Sequence, residues 1–230
     1  MDPGADAWGR LAQFADLVAG DPRRVEVDRA ALALAAVLRP RTDVAGALEA
    51  LDRLAAECPD PTFDGLRRYL FHEVGFRGDR EHYDDPRNSF LDLVLARRTG
   101  LPILLATVMI EVGRRAEVPV VGIGMPMHFL VRAEGDTDHF ADPFGGEALD
   151  AAGVRRMFEA LAQGRLRWDE GYLDPVGARA MVTRMLANLY ASYRRRRDPV
   201  RLALVARMRA SIPELRAEQR AAARLGAIFN

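Results

Sequence analysis

Lysine is absent from the 230 residues: all 33 basic side chains are arginine, and 33 acidic ones balance them. The absence removes Schiff-base chemistry on a lysine. The zero formal net charge removes any overall field drawing the chain to nucleic acid or anionic lipid, so neither partner is expected. Cysteine is almost as scarce. Cys58 is the single thiol, which excludes an internal disulfide and a cysteine zinc site; no cofactor and no metal centre are expected. No apolar run approaches the roughly 20 residues of a membrane helix, and no signal-peptide pattern opens the chain. A reducing cytoplasm is therefore the expected location.

What is present is ample apolar material, 49% of residues against 29% charged, enough to bury a full core. The first 80 residues read as helices. "WGRLAQFADLV" sets Trp8, Leu11, Phe14 and Leu17 or Val18 at helical spacing, and "DVAGALEALDRLAAEC" does so with Leu48, Leu51 and Leu54 before Pro59. "TFDGLRRYLFHEVGF" carries Leu66, Leu70, Phe71 and Val74 and stops at Gly75, leaving His72 on a solvated flank. After the charged loop "RGDREHYDDPRNS", Asn88 or Ser89 is the expected N-cap of a helix "FLDLVLARRTG" that closes at Gly100.

The segment "LPILLATVMIEVGRRAE" has Pro102 at the first helical position and is apolar almost all round, broken by Thr107, Glu111, Arg114 and Arg115. Such a helix belongs in the middle of a fold. After Pro119 come "VVGIG" and then "MPMHFLVRAEGDTDHFADPFGG", which reads as strands around a polar turn. The expected class is α+β, a central buried helix against a small antiparallel sheet. An odd-residue turn, Glu134 to Asp136, would set Arg132 opposite Asp138 and His128 opposite Asp142. Imidazole and carboxylate would then face each other.

These stretches, with "YLFHEVGFRGDREHYDDPRNSFLDLVL" upstream, resemble the papain-like core of the transglutaminase-like superfamily. In particular they resemble the SirB-type family, regulators of SirC expression with a transglutaminase-like domain and a tetratricopeptide-like tail. The resemblance implies a helical part over 1–80, a transglutaminase-like core over 81–150 and a helical, weakly tetratricopeptide-like part over 151–230, packed as one globular unit. In catalytic members a Cys opens the central helix two residues after a Gly like Gly100, with a His and an Asp on successive strands. A helix N-terminus lowers a thiol pKa, the His takes its proton, and the Asp fixes the imidazole tautomer. His128 and Asp142 fall on the last two roles; Pro102 falls on the first and has no nucleophilic atom.

Substitutes for the nucleophile are few. Ser89 starts a helix beside a loop, Thr107 lies more than a turn into the central helix, and Cys58 ends an N-terminal helix. A metal site joining His128 and Asp142 to Asp84 or Asp85 would be short of nitrogen ligands. Arg87 and Asn88 are expected on the cleft rim. The "RRRR" run, Arg194 to Arg197, reads as cations ending an amphipathic helix whose stripe is Met181, Met185, Leu189 and Tyr193. The function these features imply is non-catalytic, a pseudoenzyme binding a protein, peptide or small ligand in an inherited cleft, with a regulatory role. The alternative is a hydrolase or amidase using His128 and Asp142 with activated water, or with Ser89.

Overall fold

The computed structural model describes residues 3–216. Among these residues the helices are α1 (Pro3–Ala19), α2 (Val27–Leu38), α3 (Val44–Ala56), α4 (Phe63–Arg68), α5 (Leu91–Arg97), α6 (Pro102–Arg115), α7 (Ala151–Ala162), α8 (Ala178–Arg195) and α9 (Pro199–Ser211). The strands are β1 (Arg77–Gly78), β2 (Thr99–Gly100), β3 (Val120–Ile123), β4 (Leu130–Ala133), β5 (His139–Asp142), β6 (Glu147–Asp150) and β7 (Pro175–Val176). The chain is mixed helix and antiparallel sheet, the α+β class its sequence implies.

The contacts divide the chain into two compact units, residues 43–177 and the segments on either side of them. The boundaries of these units fall near residues 42 and 177. The reason is packing: α3 lies against α6 and α5, and α7 lies against β5 and β6. Both helices are therefore tied to the central one and its sheet.

In the flanking unit α1 packs on α2 and α9, and α8 on α2 and α9. Helix α2 carries only two charged residues, Asp28 and Arg29, and most of its side chains are buried, as a helix without a polar face must be. Met181, Met185, Leu189 and Tyr193 are buried as the stripe predicts. Asp198 caps α9 by accepting from the Arg201 N–H, so the arginine run ends one helix just before another begins. In α1 the stripe is Leu11, Phe14 and Val18, all buried. Trp8 is 59% exposed, with the Arg207 guanidinium 4.4 Å above its ring.

In residues 43–177, α6 is the hub. It contacts α3, α4, α5, β3 and β4, and Pro102 through Met109 are all buried. Its polar residues are satisfied locally: the Thr107 hydroxyl donates to the Ile103 carbonyl, 2.8 Å, and Glu111 accepts from Arg114 and Arg115. The five-stranded sheet runs β6-β5-β4-β3-β7, with each of these pairs antiparallel. Ile123, Met125, Leu130 and Phe140 form one cluster with Val154, Phe158 and Ala162 of α7. Alternation along a strand sends Val131 and Ala141 to the other face.

Two local expectations change. After α4 the chain widens into a π-type turn over Tyr69–Glu73 before Gly75. Helix α5 has Phe90, not Asn88 or Ser89, at its N-cap, and it ends at Arg98 in the left-handed region, φ 55°, not at Gly100. Gly100 instead pairs with Gly78 in a short parallel ladder.

Gly113 shows where packing overrules helix propensity. A Cβ there would stand 2.7 Å from the Val118 carbonyl oxygen and 2.9 Å from the Val120 side chain. Propensity alone favours Ala over Gly by about 1 kcal/mol. The fixed carbonyl reverses the sign: Gly113→Ala is expected to destabilise by about 1–3 kcal/mol, read from the midpoint of urea unfolding.

Candidate functional site

His128 lies just before β4, in a turn closed by its N–H donating to the Met125 carbonyl, 3.2 Å. Pro126 presets the bend, and Met127 takes a left-handed φ of 66°, a conformation that costs a non-glycine residue energy and is held by its surroundings. Asp142 ends β5. Their side chains meet: His128 Nε2 is 2.8 Å from Asp142 Oδ1, and the pair is 12% and 8% exposed. The same Oδ1 accepts the Phe144 N–H at 2.9 Å. The carboxylate is thus fixed from two sides, and it draws the imidazole proton to Nε2. In the neutral ring the basic lone pair is then on Nδ1.

The register that brings them together differs from the one the spacing suggested. Val131 pairs with Ala141 and Arg132 with Phe140, a slide of two residues from Arg132 opposite Asp138. Side-chain parity survives a slide of two. The cause is Asp136, whose carboxylate accepts from the N–H groups of Asp138 and His139 and from the His139 ring, organising a turn of five residues instead of three. These contacts hold the Asp136 carboxyl down at about 2. Arg132 turns to the Asp136 carbonyl. His128, outside the ladder, reaches Asp142 on the diagonal.

The turn after Asp142 is tethered. Gly146 donates to the Asp142 carbonyl at 2.7 Å, and its own carbonyl accepts from Arg67 Nη1 at 2.8 Å with His72 Nε2 3.1 Å away. His72, exposed as its sequence position suggests, thus helps clamp the turn behind the Asp.

Pro102 opens α6 at its first turn. Ser89 is buried in a short 3-10 turn, Pro86–Ser89, and no hydrogen bond joins it to His128. This turn abuts the start of α6, because the Leu101 N–H donates to the Asn88 carbonyl, 3.0 Å. Cys58 is partly buried, its Sγ 3.4 Å from the Asp60 carbonyl. Burial pushes its thiol pKa up, with nearby Asp60 and Glu73 adding to the rise. That is the opposite of an activated nucleophile.

Arg87 and Asn88 serve the loop itself. Arg87 pairs with Asp85 at the surface. The fully buried Asn88 amide donates to Asp79 Oδ2 at 3.0 Å and to the His82 carbonyl at 2.9 Å, and its oxygen accepts from Arg97. No hydrogen bond or ion pair joins either to His128. Two residues absent from the sequence reading join the surroundings of the site: Phe144 is edge-on to His128, ring centroids 6.0 Å apart, and Tyr83 packs against Phe144 at 5.9 Å. Only the aromatic content of "EHYDDP" and "DPFGG" hinted at them. Among the described residues no group of three or more His, Cys, Asp or Glu side chains is placed to hold a metal, and no helix is long and apolar enough to cross a membrane.

Comparison with known proteins gives this geometry its family. The chain belongs to the transglutaminase-like superfamily, whose family model matches residues 30–187. It is 41% identical over 133 residues to a UPF0162 protein of Xylella fastidiosa, covering 56% of this chain and 47% of that one. It is 32% identical over 188 residues to a UPF0162 protein of Pseudomonas aeruginosa, covering 74% and 69%. A shorter stretch of 101 residues is 34% identical to F-box only protein 21 of Mus musculus, covering 42% of this chain and 16% of that protein. The chain spans about half the length of the first curated relatives it matches. No solved structure matches. The matched region ends before α9, so the tetratricopeptide-like reading of residues 151–230 gains nothing from it.

The Asp79 to Asn88 contact yields a stability prediction. Burial alone would raise the Asp79 carboxyl, but the His82 N–H, the Asn88 amide and the charges of His82 and Arg97 outweigh it and hold the pKa below the ordinary 3.8. Its contribution is therefore present above that value and is lost as pH falls through the lowered native pKa. Asn88→Leu strips a donor from a buried carboxylate and is expected to cost about 1–3 kcal/mol at pH 7. In urea melts from pH 7 to pH 3 the deficit should shrink toward the acid end; a deficit independent of pH would place the cost in packing alone.

Proposed function

We propose that the chain binds a protein segment, peptide or small ligand at the His128 and Asp142 site without thiol chemistry, in a regulatory role within a reducing cytoplasm. One observation carries this reading. The base and its orienting carboxylate are kept at 2.8 Å, yet the helix start where the superfamily's catalytic members place a thiol is Pro102. A paired, nearly buried His and Asp are costly to keep for packing alone, since buried ionisable groups need partners to be tolerated. A ligand that accepts from or donates to the imidazole would use that arrangement directly.

A second reading rests on the tautomer. With Nε2 facing Asp142, the neutral ring has its lone pair on Nδ1, the position of a general base toward a water molecule. That supports a hydrolase or amidase needing no protein nucleophile. Ester or amide turnover that disappears in His128→Gln and persists in Cys58→Ala would favour it over the binding role.

The test of the site is to restore sulfur. In a Cys58→Ala background, Pro102→Cys is expected to react with iodoacetamide near pH 7 faster than an ordinary thiol of pKa about 8.5. Slow labelling across the pH range would mean that His128 and Asp142 are structural and the cleft does not admit a ligand at the helix start. The unaltered protein, with its raised Cys58, should label slowly and show no acyl transfer to amines. Rapid inactivation by a thiol reagent, abolished by Cys58→Ala, would instead point to an enzyme with a relocated nucleophile.

A further inference from the structure

The ring of Phe144 lies against bare backbone. A Cβ on Gly78 would be 2.3 Å from that ring, and the Gly78 N–H donates to the Phe144 carbonyl at 2.9 Å. One face of the aromatic ring is thereby pinned, and three side chains also lie against the ring. The edge-to-face contact with His128 is at 81°, Tyr83 is tilted at 60°, and the Arg80 guanidinium carbon is 5.8 Å from the ring centre. Arg80 and His128, each about 6 Å from that centre, are no more than about 12 Å apart. Tyr83 is 47% exposed, and Arg80 is exposed too.

The loop that presents Arg80 and Tyr83 is held from beneath. Asp79 accepts the His82 N–H at 2.8 Å and the Asn88 amide at 3.0 Å, with Arg97 3.6 Å away. Arg80 and Tyr83 follow this anchored carboxylate closely in sequence, on either side of His82, so their backbone is set before any ligand arrives. Among the described residues no carboxylate pairs with Arg80. Its stacking on Phe144 orients the guanidinium and leaves its charge and its fork of donors for an anion.

We propose that Arg80, Tyr83 and Phe144 form a subsite beside His128 that takes an aromatic carboxylate, such as the C-terminal aromatic residue of a peptide. This rests on the reading of the His128 site as a ligand site and adds the class of ligand. The half-exposed Tyr83 ring and the edge of Phe144 suit a third ring in tilted or offset packing. The planar guanidinium suits a carboxylate's two oxygens. A phosphate dianion or a nucleic acid fits less well, because Glu81 and Asp84 on the same loop would repel a second negative charge.

The test is a titration of the isotopically labelled chain with N-acetylphenylalanine and, in parallel, with its C-terminal amide, following the imidazole resonances of His128 assigned through His128→Gln. The carboxylate is expected to shift those resonances at millimolar concentrations, the amide to bind about tenfold more weakly, and Arg80→Gln to weaken the carboxylate by about tenfold while leaving the amide unchanged. Tyr83→Leu should weaken both. Arg80 and Tyr83 are surface residues, so these variants keep the fold, which the unchanged spectrum of the free protein checks. Equal binding of acid and amide, indifference to Arg80→Gln, or no shift with either probe would overturn the subsite. The wider ligand-site reading is judged separately by Pro102→Cys labelling, which involves neither Arg80 nor Tyr83.

Discussion

The first two turns of helix α6 have no face that water can wet. Pro102 to Met109 are buried, and the transfer of so many apolar side chains from water, at about 25 cal/mol per Å², stabilises residues 43–177. Every neighbouring element is constrained to cover it. Helices α3, α4 and α5 close three sides and strands β3 and β4 the fourth. The turn that holds Asn88 is drawn to its start by the Leu101 N–H. The His128 site follows from this: strand β4 is fixed on α6, β5 on β4, and the residues just outside the ladder meet at its end.

Much of this was legible because it depends on local chemistry. An all-apolar helix opening with Pro reads as a central helix, and an odd-residue loop puts His128 and Asp142 on one face, a parity that a slide of two residues leaves unchanged. The slide itself was not legible. It is decided by Asp136 collecting two backbone N–H groups and a histidine, and nothing in "EGDTD" ranks that five-residue turn above a three-residue one. Asn88 was readable as a capping type but not as a buried hub, because its partner Asp79 becomes costly to bury only once β1 and β2 pair. Arg80, Tyr83 and Phe144 assemble through the empty side of Gly78, a contact between residues 66 positions apart. The unit boundaries were hidden for a similar reason, since the helices before Thr42 find their partners only beyond Ala178.

The polar groups of residues 43–177 divide by what they hold. Asp79, Asn88 and Arg97 hold a loop; Glu111 with Arg114 and Arg115 holds a helix end; Arg67 and His72 hold the turn behind Asp142. The His128 and Asp142 pair stands at the end of the ladder, its carboxylate fixed by the Phe144 N–H and by the imidazole, with the imidazole edge-on to the Phe144 ring.

The two-unit arrangement bears on how the chain is made. Residues 43–177 are contiguous, so they can fold as soon as they leave the ribosome, the usual order for a domain emerging N-terminal first. Helices α1 and α2 are made earlier yet must wait for α8 and α9, more than 130 residues later. Throughout that interval the Ala, Leu and Val surface of α2 has no permanent cover. The charged ends of α2, Asp28 and Arg29 on one side and Arg39 and Arg41 on the other, flank that surface in the manner of residues that keep an exposed apolar segment from self-association. Helices α1 and α2 are thus made before the helices that cover them and settle after residues 43–177, with charged residues at both ends of the apolar α2.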